Sequence, residues 1–523
     1  MKRKPVFQFM LVVTAFLLLQ SCTLRGQNPI IHTSSGDVSG TQNQVTRVLS
    51  FKSIPFAEPP IGDLRWKPPA PVKPWKGVRA AVAFGPNCMQ ASLKEYLPWT
   101  AEFLTQSRVS EDCLYLNVWT PNVSPNANLP VIVFIHGGGF GLGGGDIAVY
   151  DGENLATTGL VIVTMNYRVG PFGFLAHPEL TAESNHHSSG NYGLLDQIAA
   201  LHWVTNNIKS FGGDPHRMTI WGWSAGAVSV NALIASPLAS GLFQQAVADS
   251  GIGRVAWPLA DLKTAEQSGA KFAATLHAAS LKELRALSAT ELLNQGVSFS
   301  PVIDGWVLPD APAVLSERGT DKDVPIITGY QANDAALFLP PTVTLDAFDQ
   351  IVKQQYGNLS AEFQQLYPAK NAEEARQALL LSSRDRDRVS MFLWASVRAK
   401  NHHQPVYTYF FDRGIPWPQH PEFAAFHGSE LPYFFLNLDK LDRPWEPIDR
   451  DLAKSAAAYL KNFATTGNPN GPGSATWTPV DRNDPSTMEL GTRIGPMPLA
   501  DKQRLDFWIR YFNSPEALKA PPF

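Results

Sequence analysis

The chain has 523 residues, 44% of them hydrophobic and 17% charged, with a formal charge of −3 at neutral pH and no long polar tract. That composition excludes an intrinsically disordered protein and allows a large buried core. The mildly acidic balance leaves no electrostatic footprint for nucleic acid or for a polybasic membrane contact, so the expected partners are small molecules, uncharged or cationic.

At the N-terminus, Lys2, Arg3 and Lys4 precede an apolar stretch from Val6 to Leu19. The stretch falls short of the ~20 residues that span a bilayer but fits the hydrophobic region of a signal peptide. It ends Leu19-Gln20-Ser21-Cys22, which resembles the lipobox of bacterial lipoproteins. That resemblance implies that residues 1–21 are removed, that Cys22 becomes the first mature residue, and that it carries the lipid. Gln20 departs from the usual occupant of its slot, so ordinary cleavage nearby stays open, as does a buried N-terminal helix. Removal takes away three positive charges and no negative ones, moving the formal charge from −3 to −6. Membrane attachment of the exported, extracytoplasmic protein would then rest on the lipid anchor alone. Cys88 and Cys113 remain as a pair, in a compartment that permits a disulfide; two free thiols are the alternative.

Residues 22–523 read as one domain. The proline-rich segment Pro55 to Trp75 interleaves Phe56, Trp66 and Trp75, too many aromatics for a flexible linker, and is expected to pack on the body. Val131 to Ile135 and Leu160 to Met165 are short apolar runs of the kind buried on both faces of a parallel sheet. Leu194, Ile198, Leu201, Val204, Ile208 and Phe211 recur at helical spacing, predicting a helix over 193–211 that Gly212-Gly213-Asp214-Pro215 stops. Strands are predicted at Met218 to Trp221, Gln244 to Ala248, Val324 to Thr328 and Val406 to Phe411. Near Gly467 to Ser474 a surface loop is expected. Strands alternating with helices imply an α/β fold, a large, mostly parallel sheet covered by helices on both faces, with long loop insertions.

Gly222-Trp223-Ser224-Ala225-Gly226 is the one G-x-S-x-G in the chain, with a strand before it and a small-residue helix after it. A nucleophilic serine needs that context: a sharp strand-to-helix turn exposes the hydroxyl, and only small neighbours fit the crowded backbone. His136-Gly137-Gly138-Gly139-Phe140 follows the strand Val131 to Ile135, and glycines there let N–H groups approach an oxygen that becomes negative during acyl transfer. A competing pattern overlaps it. Gly139 to Gly144 also spells the G-x-G-x-x-G of dinucleotide-binding proteins, but no helix start follows, and the next strand ends Asn166-Tyr167-Arg168, not on an acidic residue.

The strand–serine–helix pattern resembles α/β-hydrolases, in which the acid and then the histidine follow the serine. Asp334 lies six residues beyond the strand Val324 to Thr328; His402, His403, His420 and His427 follow it. The chain further resembles the type-B carboxylesterase family, which includes the cholinesterases, from about Thr33 to the C-terminus. The resemblance rests on Glu111-Asp112-Cys113-Leu114-Tyr115-Leu116-Asn117, His136 to Phe140, Asn166-Tyr167-Arg168-Val169-Gly170, Gly190 to Gln197 and Phe211 to Pro215. It implies a serine carboxylesterase with Ser224 as nucleophile, His427 (in His427-Gly428-Ser429-Glu430-Leu431) as base and Asp334 as its orienting acid. It also implies an oxyanion hole from Gly138, Gly139 and Ala225, and a Cys88–Cys113 disulfide. Such chemistry uses no cofactor and no metal. Asp304, in Pro301-Val302-Ile303-Asp304-Gly305, is the substitute acid, though it reads as a turn residue. The pairs His186-His187 and His402-His403 read as surface residues, since adjacent histidines point apart.

The chain departs from the family at Trp223, where the resembling enzymes have Glu. Asp249 is a candidate to restore that charge. Trp99 falls between Cys88 and Cys113, where the cholinesterases keep a choline-binding tryptophan, but its offsets differ and the role does not carry over. The rival readings are a non-catalytic, cholinesterase-like binding or adhesion protein, and a lipase or thioesterase on the same fold. Acyl and alcohol groups, and oligomeric state, are not legible.

Overall fold

The computed structural model describes residues 28–517, apart from 93–94, 252, 254–257 and 338. The basic head, the apolar stretch and Cys22 lie outside the described residues.

Eleven strands build the central sheet: β1 (Thr41–Gln42), β2 (Leu49–Pro55), β3 (Tyr115–Thr120), β4 (Leu129–Ile135), β5 (Val161–Met165), β6 (Gly213–Trp223), β7 (Gln245–Asp249), β8 (Ile326–Gln331), β9 (Val406–Phe411), β10 (Ser486–Leu490) and β11 (Ile494–Pro498). Their spatial order is β11-β10-β9-β8-β7-β6-β4-β5-β3-β2-β1. The seven strands from β10 to β5 run parallel, and the pairs outside them are antiparallel. The α/β architecture expected from the alternation is what the chain forms.

Strand alternation explains how one sheet feeds two cores. In β4, Val131, Val133 and Ile135 face one side with Leu194, Leu201 and Val230; Ile132 and Phe134 face the other with Trp221, Phe435, Ala456 and Leu460. The first side is covered by α1 (Tyr192–Asn207) and α2 (Ala225–Ala235), the second by α3 (Pro447–Thr466). The periodicity over 193–211 therefore marked a real helix, whose last turn tightens to a 3-10 helix over Ile208–Phe211 and stops at Gly212 with φ +81°. In the proline-rich segment, Trp66 is 1% exposed and donates to the Pro171 carbonyl at 2.7 Å, so that segment packs on the body as expected. The strand expected at Val324 to Thr328 is shifted two to three residues along, because Ile326 rather than Val324 begins the ladder to β7 and β9.

Many residues of the recognisable motifs hold loops to this frame. The Arg168 guanidinium makes a two-pronged bond to Asp196 at 2.8 and 2.7 Å, with both side chains buried. Asn166 receives the Gly145 N–H and donates to the Pro86 and Cys113 carbonyls. Asn191 exchanges two bonds with the Val302 backbone, and Arg65 is paired with Glu111. Cys88 and Cys113 are joined in a buried disulfide. Among the described residues no helix is long and apolar enough to cross a membrane.

Removing one partner of a buried ion pair leaves an uncompensated charge in the core. Arg168→Leu is expected to lower unfolding free energy by about 3–5 kcal/mol, read by chemical denaturation; an unchanged midpoint would show that Asp196 is otherwise satisfied.

Candidate active site

Ligand sites in open α/β sheets lie at the carboxyl ends of the strands, where the chain reverses its direction of winding. Here β5 lies on one side of β4 and β6 on the other, so that point falls between β4 and β6. Both strands end in the glycine motifs singled out above.

Ser224 connects β6 to α2 at φ +57° and ψ −124°, a region that residues with a side chain rarely occupy. The turn is so tight that a Cβ at Gly222 would collide with the Gly226 carbonyl, and one at Gly226 with the Ile135 carbonyl. The glycines of G-x-S-x-G are thus steric necessities of the strand–helix crossing. The turn is held by the Ser224 N–H donating to the Asp249 carbonyl at 2.8 Å and the Val228 N–H donating to the Ser224 carbonyl at 3.0 Å.

The loop after β4 lies against this turn: a Cβ on Gly137 would stand 3.0 Å from the Ser224 Cβ. Its root is fixed by His136, which is buried, stacks on Tyr167 at 4.2 Å and bonds through Nδ1 to the Gly137 carbonyl at 2.8 Å. Burial pushes the His136 imidazole down to about 4, so it stays neutral and adds no charge to the loop. Gly138 takes φ +106° and its carbonyl receives the N–H groups of Gly141 and Leu142; Gly139 takes φ +60°. Among the described residues, the N–H groups of Gly138, Gly139 and Ala225 donate to no protein acceptor. Gly139 to Gly144 runs through turns and opens no helix, which removes the dinucleotide reading.

Asp334 and His427, 93 positions apart, meet through a backbone bridge between Asn333 and Phe426. The Asn333 N–H donates to the Ala425 carbonyl at 2.9 Å, and Arg384 clamps the turn by bonding the Ala332 carbonyl and the Asn333 side chain. The His427 Nδ1 then bonds Asp334 Oδ1. Asp334 is 6% exposed, and its second oxygen has no partner among the described residues. Two indoles flank His427. Trp99 donates from Nε1 to the His427 carbonyl at 3.1 Å, and the Trp223 ring lies 4.9 Å from the imidazole. Among the described residues the Ser224 hydroxyl makes no hydrogen bond, while the ring of Trp223, the residue before it in the chain, lies against the His427 imidazole.

The other singled-out residues sit elsewhere. Asp304 shapes a turn, receiving the Trp306 and Leu308 N–H groups and the Ser188 hydroxyl. His186 stacks on Trp306 at 3.8 Å. His403 is exposed, but His402 is not a surface residue: its side chain is 3% exposed and faces Asp321 at 2.6 Å, because the end of its long helix is packed down by Arg398. The expectation for Asp249 also needs correcting. Its carboxyl receives the Trp221 indole N–H and the Tyr409 hydroxyl, and burial pushes it up to about 7 against those two bonds. Glu430, fully buried with no hydrogen-bond partner on either oxygen among the described residues, is driven up by burial and then by the Asp249 charge. Two buried acids held toward the neutral form do not replace a missing carboxylate.

The fold and the position of this site define an α/β-hydrolase. Comparison with known proteins sharpens the class: residues 27–508 match the Carboxylesterase family, and the chain belongs to it. It is 35% identical to the fumonisin B1 esterase of Sphingopyxis macrogoltabida, over 89% of this chain and 86% of that protein. It is 35% identical to the para-nitrobenzyl esterase of Bacillus subtilis, over 89% and 95%, and 32% identical to the liver carboxylesterase of Sus scrofa, over 98% of both. Family and relatives together support carboxylic ester hydrolysis.

The raised Asp249 carries a pH signature. A carboxyl whose folded value lies above its ordinary 3.8 favours the fold when protonated, and that contribution is lost as pH rises through about 7. Asp249→Asn should therefore lose less thermal stability than the wild type between about pH 4 and pH 8. Parallel melting-temperature curves for the two proteins would rule that titration out.

Proposed function

We propose that the protein is a serine carboxylesterase working by two-step acyl transfer at Ser224. The observation that carries the reading is the positive-φ Ser224 turn, packed against a glycine loop in which the Gly138 and Gly139 N–H groups have no protein acceptor among the described residues. Ser224 Oγ attacks the ester carbonyl as His427 takes its proton, and the N–H groups of Gly138, Gly139 and Ala225 receive the charge that builds on the carbonyl oxygen. His427 returns the proton to the leaving alcohol, and water activated by the same imidazole then frees the acid. Asp334, bonded to Nδ1, holds the imidazole so that Nε2 faces the serine, and stabilises its charged form. Hydrogen bonds to a nucleophile commonly tighten only when substrate binds, consistent with an unbonded Ser224 hydroxyl.

A fluorophosphonate probe should label Ser224 in the wild type and not in Ser224→Ala, which should also lose the burst of nitrophenol from p-nitrophenyl acetate. Asp334→Asn should keep the fold and lower kcat by about 10³–10⁴-fold, as losing the correct tautomer does in other triads. Nitrophenol release surviving in Ser224→Ala would refute the assignment.

The substrate class we propose is small carboxylic esters, uncharged or cationic, consistent with the acidic mature chain. Rates across p-nitrophenyl esters of increasing acyl length separate this from a lipase. We also propose export and a lipid on Cys22, supported by the N-terminal pattern and by the Cys88–Cys113 disulfide, a bond typical of oxidising compartments. Radiolabelled palmitate should enter the wild type and not Cys22→Ala; equal incorporation would exclude that anchor.

A further inference from the structure

Trp223 stands where the resembling enzymes carry a carboxylate, and its surroundings are built for an indole. A Cβ on Gly137 would lie 2.7 Å from Trp223 Cε3, and one on Gly428 would lie 2.6 Å from Cζ2. Both atoms belong to the six-membered ring. That ring is therefore wedged between the glycine that opens the oxyanion loop and the glycine that follows His427, with no room for a side chain at either. The residue is 8% exposed, its Nε1 has no partner among the described residues, and its ring centroid lies 4.9 Å from the imidazole at an interplanar angle of 39°. Its own carbonyl leads directly into Ser224.

We propose that Trp223 is a positioning residue of the acyl-transfer site, whose aromatic face stabilises the imidazolium that His427 becomes and whose bulk sets the His427 loop against the serine turn. The inference rests on the esterase reading. An aromatic face within about 6 Å of a cation attracts it through the ring quadrupole, most strongly for tryptophan and where water is excluded. In both half-reactions His427 is charged while the tetrahedral intermediate exists, so this attraction is stronger in the transition state than in the ground state. No cofactor or extra proton carrier enters; the proton still travels between Ser224, His427 and the leaving oxygen. The charged and titratable groups around the Asp334–His427 pair include Arg384, which bonds Asn333, and Asp387, Tyr330, Tyr409 and Glu430, each of which bears on Asp334, with the buried Asp249 beside Tyr409 and Glu430. Asp249 and Glu430 are held toward neutrality by burial. Among the described residues Asp334 is the one carboxylate bonded to the imidazole, and the Trp223 ring is the nearer of the two indoles beside it, that of Trp99 lying edge-on at 6.3 Å. None of the titratable groups is altered by substitutions at position 223.

The test is kcat and the pH dependence of kcat/KM on p-nitrophenyl acetate for Trp223→Phe and Trp223→Leu, with folding verified by circular dichroism. Trp223→Leu should lower kcat by about threefold to thirtyfold and move the acid limb of kcat/KM to lower pH by about half a unit to one and a half units. Trp223→Phe, which keeps a ring, should fall between it and the wild type. Should Trp223→Leu fail to fold, fluorinated tryptophans placed at position 223 by amber suppression weaken the ring face at nearly constant size, and the acid limb should descend with each added fluorine. Variants or fluorinated proteins that share the wild-type acid limb would overturn the inference. A wild-type protein that neither takes the fluorophosphonate nor releases nitrophenol would instead overturn the esterase reading itself.

Discussion

The site depends on a steric constraint: three stretches of backbone cross at the end of β6 with no space between them. The helix after Ser224 turns back so sharply that Gly222 faces the Gly226 carbonyl, and Gly226 in turn faces the Ile135 carbonyl of the neighbouring strand. A methyl group at either position would push α2 away from the sheet. The same crossing forces Ser224 into its left-handed conformation and brings the loop after β4 against it. The proposed nucleophile and oxyanion donors are thus set by one packing event in the rigid middle of a parallel sheet, where strand register is specified on both faces.

Around that crossing the electrostatics are those of a dry interior. His136, at the root of the glycine loop, is kept neutral, and Asp249 and Glu430 are both pushed toward protonation. A buried neutral acid costs far less than a buried unpaired carboxylate, which is how several acids coexist behind one imidazole. The consequence falls on Asp334. It is the carboxyl bonded to Nδ1 of His427, and the aromatic rings of Trp99 and Trp223 complete the surroundings of that imidazole.

How much of this was legible in the sequence follows from the physics of each part. The parallel core strands are unbroken apolar runs, and Val131 to Ile135 and Val406 to Phe411 stood out for that reason. The serine turn was legible because only glycine fits beside it. The strands toward the two ends of the sheet, Leu49–Pro55, Ser486–Leu490 and Ile494–Pro498, were missed, since Ser50, Lys52, Ser53, Glu489 and the prolines dilute their pattern. So was the helix Ala372–Asn401, whose Arg384 to Arg388 run reads as solvated yet buries Asp385 against Arg388 and Arg504. The bonds of Trp99 to His427 and of Arg384 to Asn333 left no local signal, because each joins segments distant in the chain. A family resemblance supplied Asp334 and His427; spacing alone left four histidines open.

The tether from Trp99 to the His427 carbonyl spans 328 positions, and the bridge from Asn333 to Phe426 closes within it. Synthesis runs from the N-terminus, and domains settle as their contacts become available. The serine turn, held by the Asp249 carbonyl, can be assembled once the chain has passed that residue, long before the imidazole proposed to activate it leaves the ribosome. On the proposed mechanism a growing polypeptide therefore carries a nucleophile without a base for roughly a third of its length, and chains truncated upstream of the histidine loop are expected to be inert toward ester bonds, however well their first half folds.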